Sequence, residues 1–571
     1  MIVPAQDLHR LVIRVAVVTL ALRAVSMFSV DPYASEVLAM LPPATLPAEP
    51  GRLLLAAWTT AGGGFAAVGR IPTVLADVAL VLAIVGYARA AGFGTIAGLV
   101  AAAVAAMGPL GLEIGWRAGT PAFASALGMI GLWLLRGGLR RGALGRTAGS
   151  AVAFAAASAL TPAAWVLLPS ALWLSARSVA MPAVRAVGSV GWLVAGGLGA
   201  AGYAAIAGSM LPLLGDVAAW AMQPDLGYDA APLAAPLDAA RSALAALSAG
   251  GPTGAIARLG ELPPAPDWRV WLGAALWPLA AYGLVRGLVR EDPAAAEPAF
   301  SDAGGAGAAD GWRSLGVAHA TAPRSLGERD WMPLLLPMLT AAGFAAWQAS
   351  RSDAAGVVDA VVMARPAAAM LLGLGLAAAA LLPAMAEDHR GQGHRQATML
   401  LVVVTMVIFG LGGQALLERL QDIGRTSARK VALFTAEEMA GRGEAVLVGA
   451  GGLRIRWKLL GSQESNRLKV VAPAQAALLA GLDDALGRRP PQLVLAGDVE
   501  ALGEEVAIGT LVDRRMEQAG YRLREDGHRF LADLAVRVYS REQEARDPKA
   551  VTPQMAPGVQ PGVAPTETEA P

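Results

Sequence analysis

The chain of 571 residues contains no cysteine. Disulfides, thiolate nucleophiles and Cys-ligated metal centres are therefore excluded. Lysine is confined to Lys430, Lys458, Lys469 and Lys549, so arginine carries nearly all the positive charge. Histidine occurs only five times, which leaves little for a His-dependent hydrolase. His389 and His394 flank Glu387 and Asp388, but one short turn wraps a metal poorly. No glycine-rich loop ends in Lys-Ser or Lys-Thr, which argues against an ATP-driven machine. No basic tract stands out and the formal net charge is +1, so nothing marks a nucleic-acid partner. Charge is scarce altogether, at 16% of residues, where a soluble domain holds about 25%.

What fills the chain is apolar. Hydrophobic residues make up 55% of it and the mean hydropathy is +0.49. These values belong to an integral membrane protein. Residues 11–30 form a first span, interrupted by Arg14 and Arg23. Arg23 spoils the clean apolar core of a signal peptide, so this helix is expected to stay uncleaved. Residues 31–68 hold Pro42, Pro43, Pro50 and the Gly62-Gly63-Gly64 run, an interfacial segment with one or two short helices. Spans follow at 70–89, 93–112 and 119–135. Two short apolar pieces, 147–160 and 163–176, meet at Thr161-Pro162, where proline breaks the helix. Further spans cover 187–212, 269–288, 331–350, 363–383 and 397–416, about eleven membrane helices in all.

Between them lie a polar, acid-rich loop (213–268) and an Ala/Gly/Asp-rich segment (291–330) expected to be a disordered linker. Arg89, the arginines at 136–146, Arg177, Arg185, Arg286, Arg290, Arg390 and Arg395 all fall on one side. The positive-inside rule makes that side cytoplasmic, along with the N-terminus. An odd number of spans then places everything after 417 outside. Residues 421–545 regain charge and read as a small α/β domain. Strands are expected at 445–448 and 453–457, joined as a hairpin by Gly451-Gly452. That hairpin also explains Gly449-Ala450-Gly451, which lacks the third glycine of a dinucleotide fingerprint. Further strands are expected at 468–471, 492–496, 521–524 and 534–539, with helices at 473–487 and 499–519. The tail, 546–571, reads as disordered. The fold class is thus mainly α: a polytopic helical bundle over 1–420 with a small extracytoplasmic α/β domain.

Charges inside a membrane are costly, so each needs a partner or a task. Arg23 and Asp77 each lie about seven residues below the outer end of their helices, roughly 10 Å deep. Equal depth on neighbouring helices predicts a structural ion pair. Nearer the outer surface gather Asp31, Glu36, Arg70, Glu113, Trp116, Arg117 and the Thr161-Pro162 break. Carboxylates there suit general base chemistry, and arginines suit bidentate capture of a phosphate. The same residue types also mark ordinary helix ends.

Five stretches, in order, resemble one family, the multi-span glycosyltransferases of the C-type fold that use polyprenyl-phosphate sugars, as in the protein mannosyltransferase and aminoarabinose transferase group. Ser29-Val30-Asp31-Pro32-Tyr33 stands where that family has an acidic motif after its first helix. Pro50 to Trp58, then Gly69-Arg70-Ile71-Pro72-Thr73, resembles its amphipathic segment and second-helix start. Gly108 to Arg117 resembles the end of its third helix, Ala159-Leu160-Thr161-Pro162 its short-helix break, and Arg329 to Pro337 a later helix start. The chain departs from the pattern at Pro32, which replaces a second acid, and at Ala118 to Ala122, which hold no carboxylate. The break also lacks the family's lysine.

The resemblance implies sugar transfer from a polyprenyl-phosphate donor to a lipid, glycan or protein acceptor at the outer face of the bacterial inner membrane. It implies Asp31 as base, with Glu36 as its substitute, and Glu113 as an orienting group. Arg117 and Arg70 would hold the leaving phosphate, with Trp116 beside them. It names no cofactor and leaves a divalent metal open. The alternatives are a non-catalytic membrane protein of the same fold, serving assembly or lipid handling, and a transporter. A transporter calls for an internal repeat and polar mid-membrane residues; no convincing repeat is present.

Overall fold

A computed structural model describes residues 5–29, 36–37, 40, 50–62, 66–93, 95–210, 236–248, 251–253, 256–257, 265–289, 331–350, 356–386, 392–422, 427–440, 443–459, 467–471, 475–498, 502, 506–531 and 534–541. Asp31, the 291–330 linker and the 546–571 tail lie outside these residues. The chain divides into two compact units, Met1–Ala428 and Arg429–Pro571.

The first unit is helical. Its elements are α1 (Ala5–Ser29), α2 (Pro50–Ala61), α3 (Ala66–Ala90), α4 (Thr95–Met107), α5 (Pro109–Ile114), α6 (Thr120–Arg141) and α7 (Leu144–Leu160). A 3-10 helix (Pro162–Leu167) leads into α8 (Leu168–Arg177). Then come α9 (Pro182–Met210), α10 (Pro236–Ala246), α11 (Asp267–Val289), α12 (Met332–Ser350), α13 (Val357–Ala386) and α14 (Gln392–Asp422), while α15 (Ser427–Met439) leads into the second unit. Among the described residues, five helices are long and apolar enough to cross a membrane: α3, α6, α9, α12 and α13. With the shorter apolar helices α4 and the 402–417 part of α14, they make this a multi-pass membrane protein. The segment read as one polar loop, 213–268, in fact contains α10, whose Ala239, Ala243 and Ala246 are buried at helical spacing. Its small residues hid this amphipathic pattern from a search for large apolar ones.

The axis of the bundle is α13. From Ala360 to Ala377 it is buried throughout, packed against α4, α6, α11, α12 and α14. Small residues permit this. A Cβ on Gly373 would overlap the backbone of Ala101 in α4, and one on Gly375 the carbonyl of Ala280 in α11. Close backbone approach of this kind replaces the hydrophobic drive that lipid does not provide. By contrast α9 shows Val190, Leu193, Val194 and Leu198 on an exposed face. Its inner face is pinned where Trp192 stacks on Phe154 at 4.2 Å and donates to Ser150 Oγ at 2.9 Å.

The break at Thr161-Pro162 has a defined anchorage. Thr161 is extended, its Oγ1 accepts from the Ala163 N–H, and the hydroxyl donates to Asp359 Oδ2 at 3.1 Å. The start of α13 is thereby tied to the end of α7. Ser125 of α6 donates to the Val362 carbonyl one turn further along α13.

The second unit is an α/β domain. Its elements are β1 (Glu444–Val448), α16 (Gly449–Leu459), β2 (Leu468–Val471), α17 (Gln475–Gly487), β3 (Gln492–Asp498), α18 (Val506–Gln518), β4 (Tyr521–Leu531) and β5 (Leu534–Arg541). The strand order is β2-β1-β3-β5-β4. β1 runs parallel to β2 and β3, while β5 pairs antiparallel with β3 and β4. Val446, Leu478, Leu482, Leu493, Leu495, Met516 and Tyr539 form its core.

One expectation is corrected here. Leu453–Trp457 is no strand, and Gly451-Gly452 is no hairpin turn; both belong to α16. The left-handed Gly449 (φ 67°) turns β1 directly into the helix. A Cβ on Gly452 would lie 2.7 Å from the Leu447 carbonyl carbon, so glycine lets α16 settle on its own strand. The Gly451 N–H donates to both oxygens of Asp498, at 3.1 and 3.0 Å. The end of β3 thus caps the helix start with a carboxylate.

Candidate functional site

Among the described residues, eight charged side chains are buried: Arg23, Glu36, Arg70, Asp77, Glu113, Arg117, Arg269 and Arg365. All eight belong to one connected cluster, reached by the end of α1, the start of α3, α5 with the loop after it, the start of α11 and the first turns of α13.

The deepest layer is the ion pair expected between α1 and α3, with an addition. Arg23 donates through Nε to Asp77 Oδ2 at 2.9 Å, and through Nη2 to the Ala106 carbonyl at 2.8 Å. Arg365 of α13 donates to Asp77 Oδ1 at 2.5 Å. One carboxylate therefore joins three helices far apart in sequence.

Directly on this triad lies the loop after α5. Gly108 breaks the chain between α4 and α5, and Pro109 starts α5 where a missing N–H costs nothing. The short α5 then ends at Gly115, whose Cβ would overlap Arg23 Nε and the Asp77 carboxylate. Glycine at 115 lets the backbone rest on the pair. Glu113 and Arg117, one helical turn apart, meet at 3.3 Å. Glu113 also feels the charges of Arg269 and Arg23. Between them Trp116 is 1% exposed, with Arg70 over its ring at 4.5 Å and Arg117 at 5.9 Å. Such stacking suits arginine better than lysine.

Arg70 is heavily committed. Its Nε and Nη2 grip the two oxygens of Glu36 at 2.8 Å each, and Nη1 donates to the Met27 carbonyl at 2.9 Å. Glu36 Oε1 also accepts from the Ala118 N–H at 2.8 Å. The Glu36–Arg70 pair thus ties the chain after α1 to the start of α3 and to the loop carrying Trp116 and Arg117.

Of the six residues singled out from the sequence, the structure brings Glu36, Arg70, Glu113, Trp116 and Arg117 together, and Asp31 lies outside the described residues. Two arginines were missed. Arg269 reads as the first residue of a span and Arg365 as the third, positions where an arginine ordinarily reaches water. Their burial, 2% and 6% exposed, becomes visible only in three dimensions. Among the described residues, no group of three or more His, Asp or Glu side chains is arranged to hold a metal.

No protein-family model matches the chain, and no curated protein does. Solved structures do. The chain is similar to ArnT from Cupriavidus metallidurans in the apo state, at 12% identity, covering 92% of this chain and 97% of that one with a TM-score of 0.52. It also matches ArnT from Cupriavidus metallidurans bound to undecaprenyl phosphate, at 12% identity over 94% and 98% of the chains, with a TM-score of 0.45. At this identity the likeness to the apo structure concerns architecture alone. The chain therefore has the C-type glycosyltransferase fold, a polytopic helical bundle with a small C-terminal sheet.

Proposed function

We propose that this chain is a membrane glycosyltransferase that moves a sugar from a polyprenyl-phosphate donor to an acceptor at the outer face of the bacterial inner membrane. One observation carries the reading: among the described residues, the buried cluster holds five arginines against three carboxylates, an excess of positive charge gathered at one end of an apolar bundle. Such an excess is costly unless an anion answers it. A lipid phosphate meets the requirement, because its tails stay in the bilayer while its head reaches the bundle end.

In this reading Asp31 takes the proton from an acceptor hydroxyl as its oxygen attacks the anomeric carbon. The bond from that carbon to the phosphate oxygen breaks, and the phosphate leaves with the electron pair. Its second negative charge develops beside Arg117 and Arg269, where fixed cations lower the barrier because they bind the developing charge better than the starting diester. Glu113 holds Arg117 in place and orients the sugar. Trp116 offers an apolar face between two guanidiniums. Glu36 and Arg70 spend their hydrogen bonds on each other and on the backbone, so their task is to tie the end of α1 and Glu36 to the loop after α5.

The test is transfer of radiolabelled sugar from polyprenyl-phosphate donors in membranes. Asp31→Asn, expressed at wild-type level, is expected to lose transfer. Undiminished transfer by that variant would remove Asp31 as the base.

A further inference from the structure

Arg23 and Arg365 are 0% and 6% exposed and share one carboxylate, Asp77. A single guanidinium would balance that carboxylate; two leave one positive charge in the apolar interior. Hydrogen bonding leaves donors over as well. Arg23 Nη1 and Arg365 Nε and Nη1 are buried without a hydrogen-bond partner among the described residues. Among the described residues, the other groups facing the triad do not supply the missing charge. Ala106 offers a neutral carbonyl to Arg23. Gly111, whose Cβ would stand 3.6 Å from Arg365 Nη1, and Gly115 bring only backbone. Glu113 lies on the far side, in contact with Arg117 at 3.3 Å. A water would satisfy an N–H without cancelling a net charge, and an uncompensated buried ion is costly.

We propose that the Arg23–Asp77–Arg365 triad is an internal binding site for one small inorganic monoanion of the halide class. The charge fits, since the triad carries one surplus unit. The size fits a small ion, since Gly115 brings backbone hard against Arg23, while beside Gly111 even an added Cβ would stand in ordinary contact, 3.6 Å from Arg365 Nη1. The donor set fits too, because a spherical halide accepts N–H groups from several directions, whereas an oxyanion favours a planar bidentate fork. The proposal goes beyond the transfer reaction and stands whether or not the chain is an enzyme.

The experiment uses the full-length protein, purified in detergent in sodium gluconate. Thermal unfolding is followed by tryptophan fluorescence while chloride replaces gluconate at constant ionic strength; a second arm uses inorganic phosphate. Chloride is expected to raise the apparent Tm saturably by about 3 °C, as a ligand of the folded state does, whereas any effect of phosphate, which the Arg117 end of the cluster is proposed to hold, is expected to be the same in wild type and Arg365→Gln. Arg365→Gln, whose triad is neutral, is expected to lose the chloride effect. Should that variant fail to fold, crystals of the wild-type protein grown in bromide are expected to show an anomalous peak within hydrogen-bond distance of Arg365. Equal melting in chloride and gluconate would overturn the proposal. So would a phosphate effect lost in Arg365→Gln, a chloride effect retained by that variant, or a triad without bromide.

Discussion

Asp77 Oδ1 accepts from Arg365 across 2.5 Å of space and 288 residues of sequence. That contact turns an ordinary two-helix ion pair into the joint of α1, α3 and α13. Substitution at Asp77 therefore strands two guanidiniums, not one. Asp77→Ala is expected to cost about 4 kcal/mol, the range for breaking a buried pair from one side. Thermal unfolding in detergent measures this. A Tm within a degree of wild type would show that the triad does not hold the bundle.

Gly115→Ala tests the seating of the loop on that joint. The methyl group would overlap Arg23 Nε and the Asp77 carboxylate, which are locked by each other and cannot swing aside. We expect a loss of about 2 kcal/mol, typical of overpacking. Because the displaced loop carries Trp116 and Arg117, transfer is expected to fall further than stability does. Gly145→Ala is the control, since nothing lies within 4 Å of its Cβ.

Glu36→Gln keeps the shape of the side chain and removes the charge gripped by Arg70. The prediction is destabilisation of about 3 kcal/mol, with Trp116 fluorescence altered because Arg70 lies over its ring at 4.5 Å. Were Glu36 a base in place of Asp31, the variant would instead fold normally and lose activity alone. A melting curve and a transfer assay on the same preparation separate the two.

In the C-terminal domain, Tyr539 offers a test by pH. Its hydroxyl donates to Asp513 Oδ1 at 2.6 Å. Burial first, and then the Asp513 carboxylate, push its pKa well above the ordinary value of 10. The folded state thus favours the protonated phenol. Its contribution is full below pH 10 and declines as pH rises from there towards the folded value. Tyr539→Phe is expected to flatten the alkaline limb of stability against pH; an unchanged slope would place the titrating group elsewhere.

Much of this architecture is legible in the sequence, and its gaps have physical causes. The helices read from apolar runs are present, except that the run at 93–112 divides at Gly108 into α4 and α5, and equal depth sufficed to pair Arg23 with Asp77. Arg365 was hidden by a boundary. The apolar run suggests a helix from 363, which puts Arg365 at its mouth, whereas α13 begins at Val357 and carries Arg365 past two turns into the bundle. Residues 453–457 misled because burial there alternates: Leu453 and Ile455 are buried, Arg454 and Arg456 less so. Period two is the mark of a strand, and only the preceding glycines, which let backbone meet backbone, distinguish the helix. Arg269 could have been flagged only by asking which acid lacked a local partner, and Glu113 already had Arg117 one turn away.

The most direct test of the central claim is sugar transfer by purified protein reconstituted with radiolabelled polyprenyl-phosphate sugars, wild type against Arg117→Gln. Wild-type protein is expected to transfer, and Arg117→Gln to be slower by about 100-fold, as when one fixed donor to a developing anion is lost. Equal rates in the two proteins, or no transfer by folded wild-type protein from any such donor, would contradict the account.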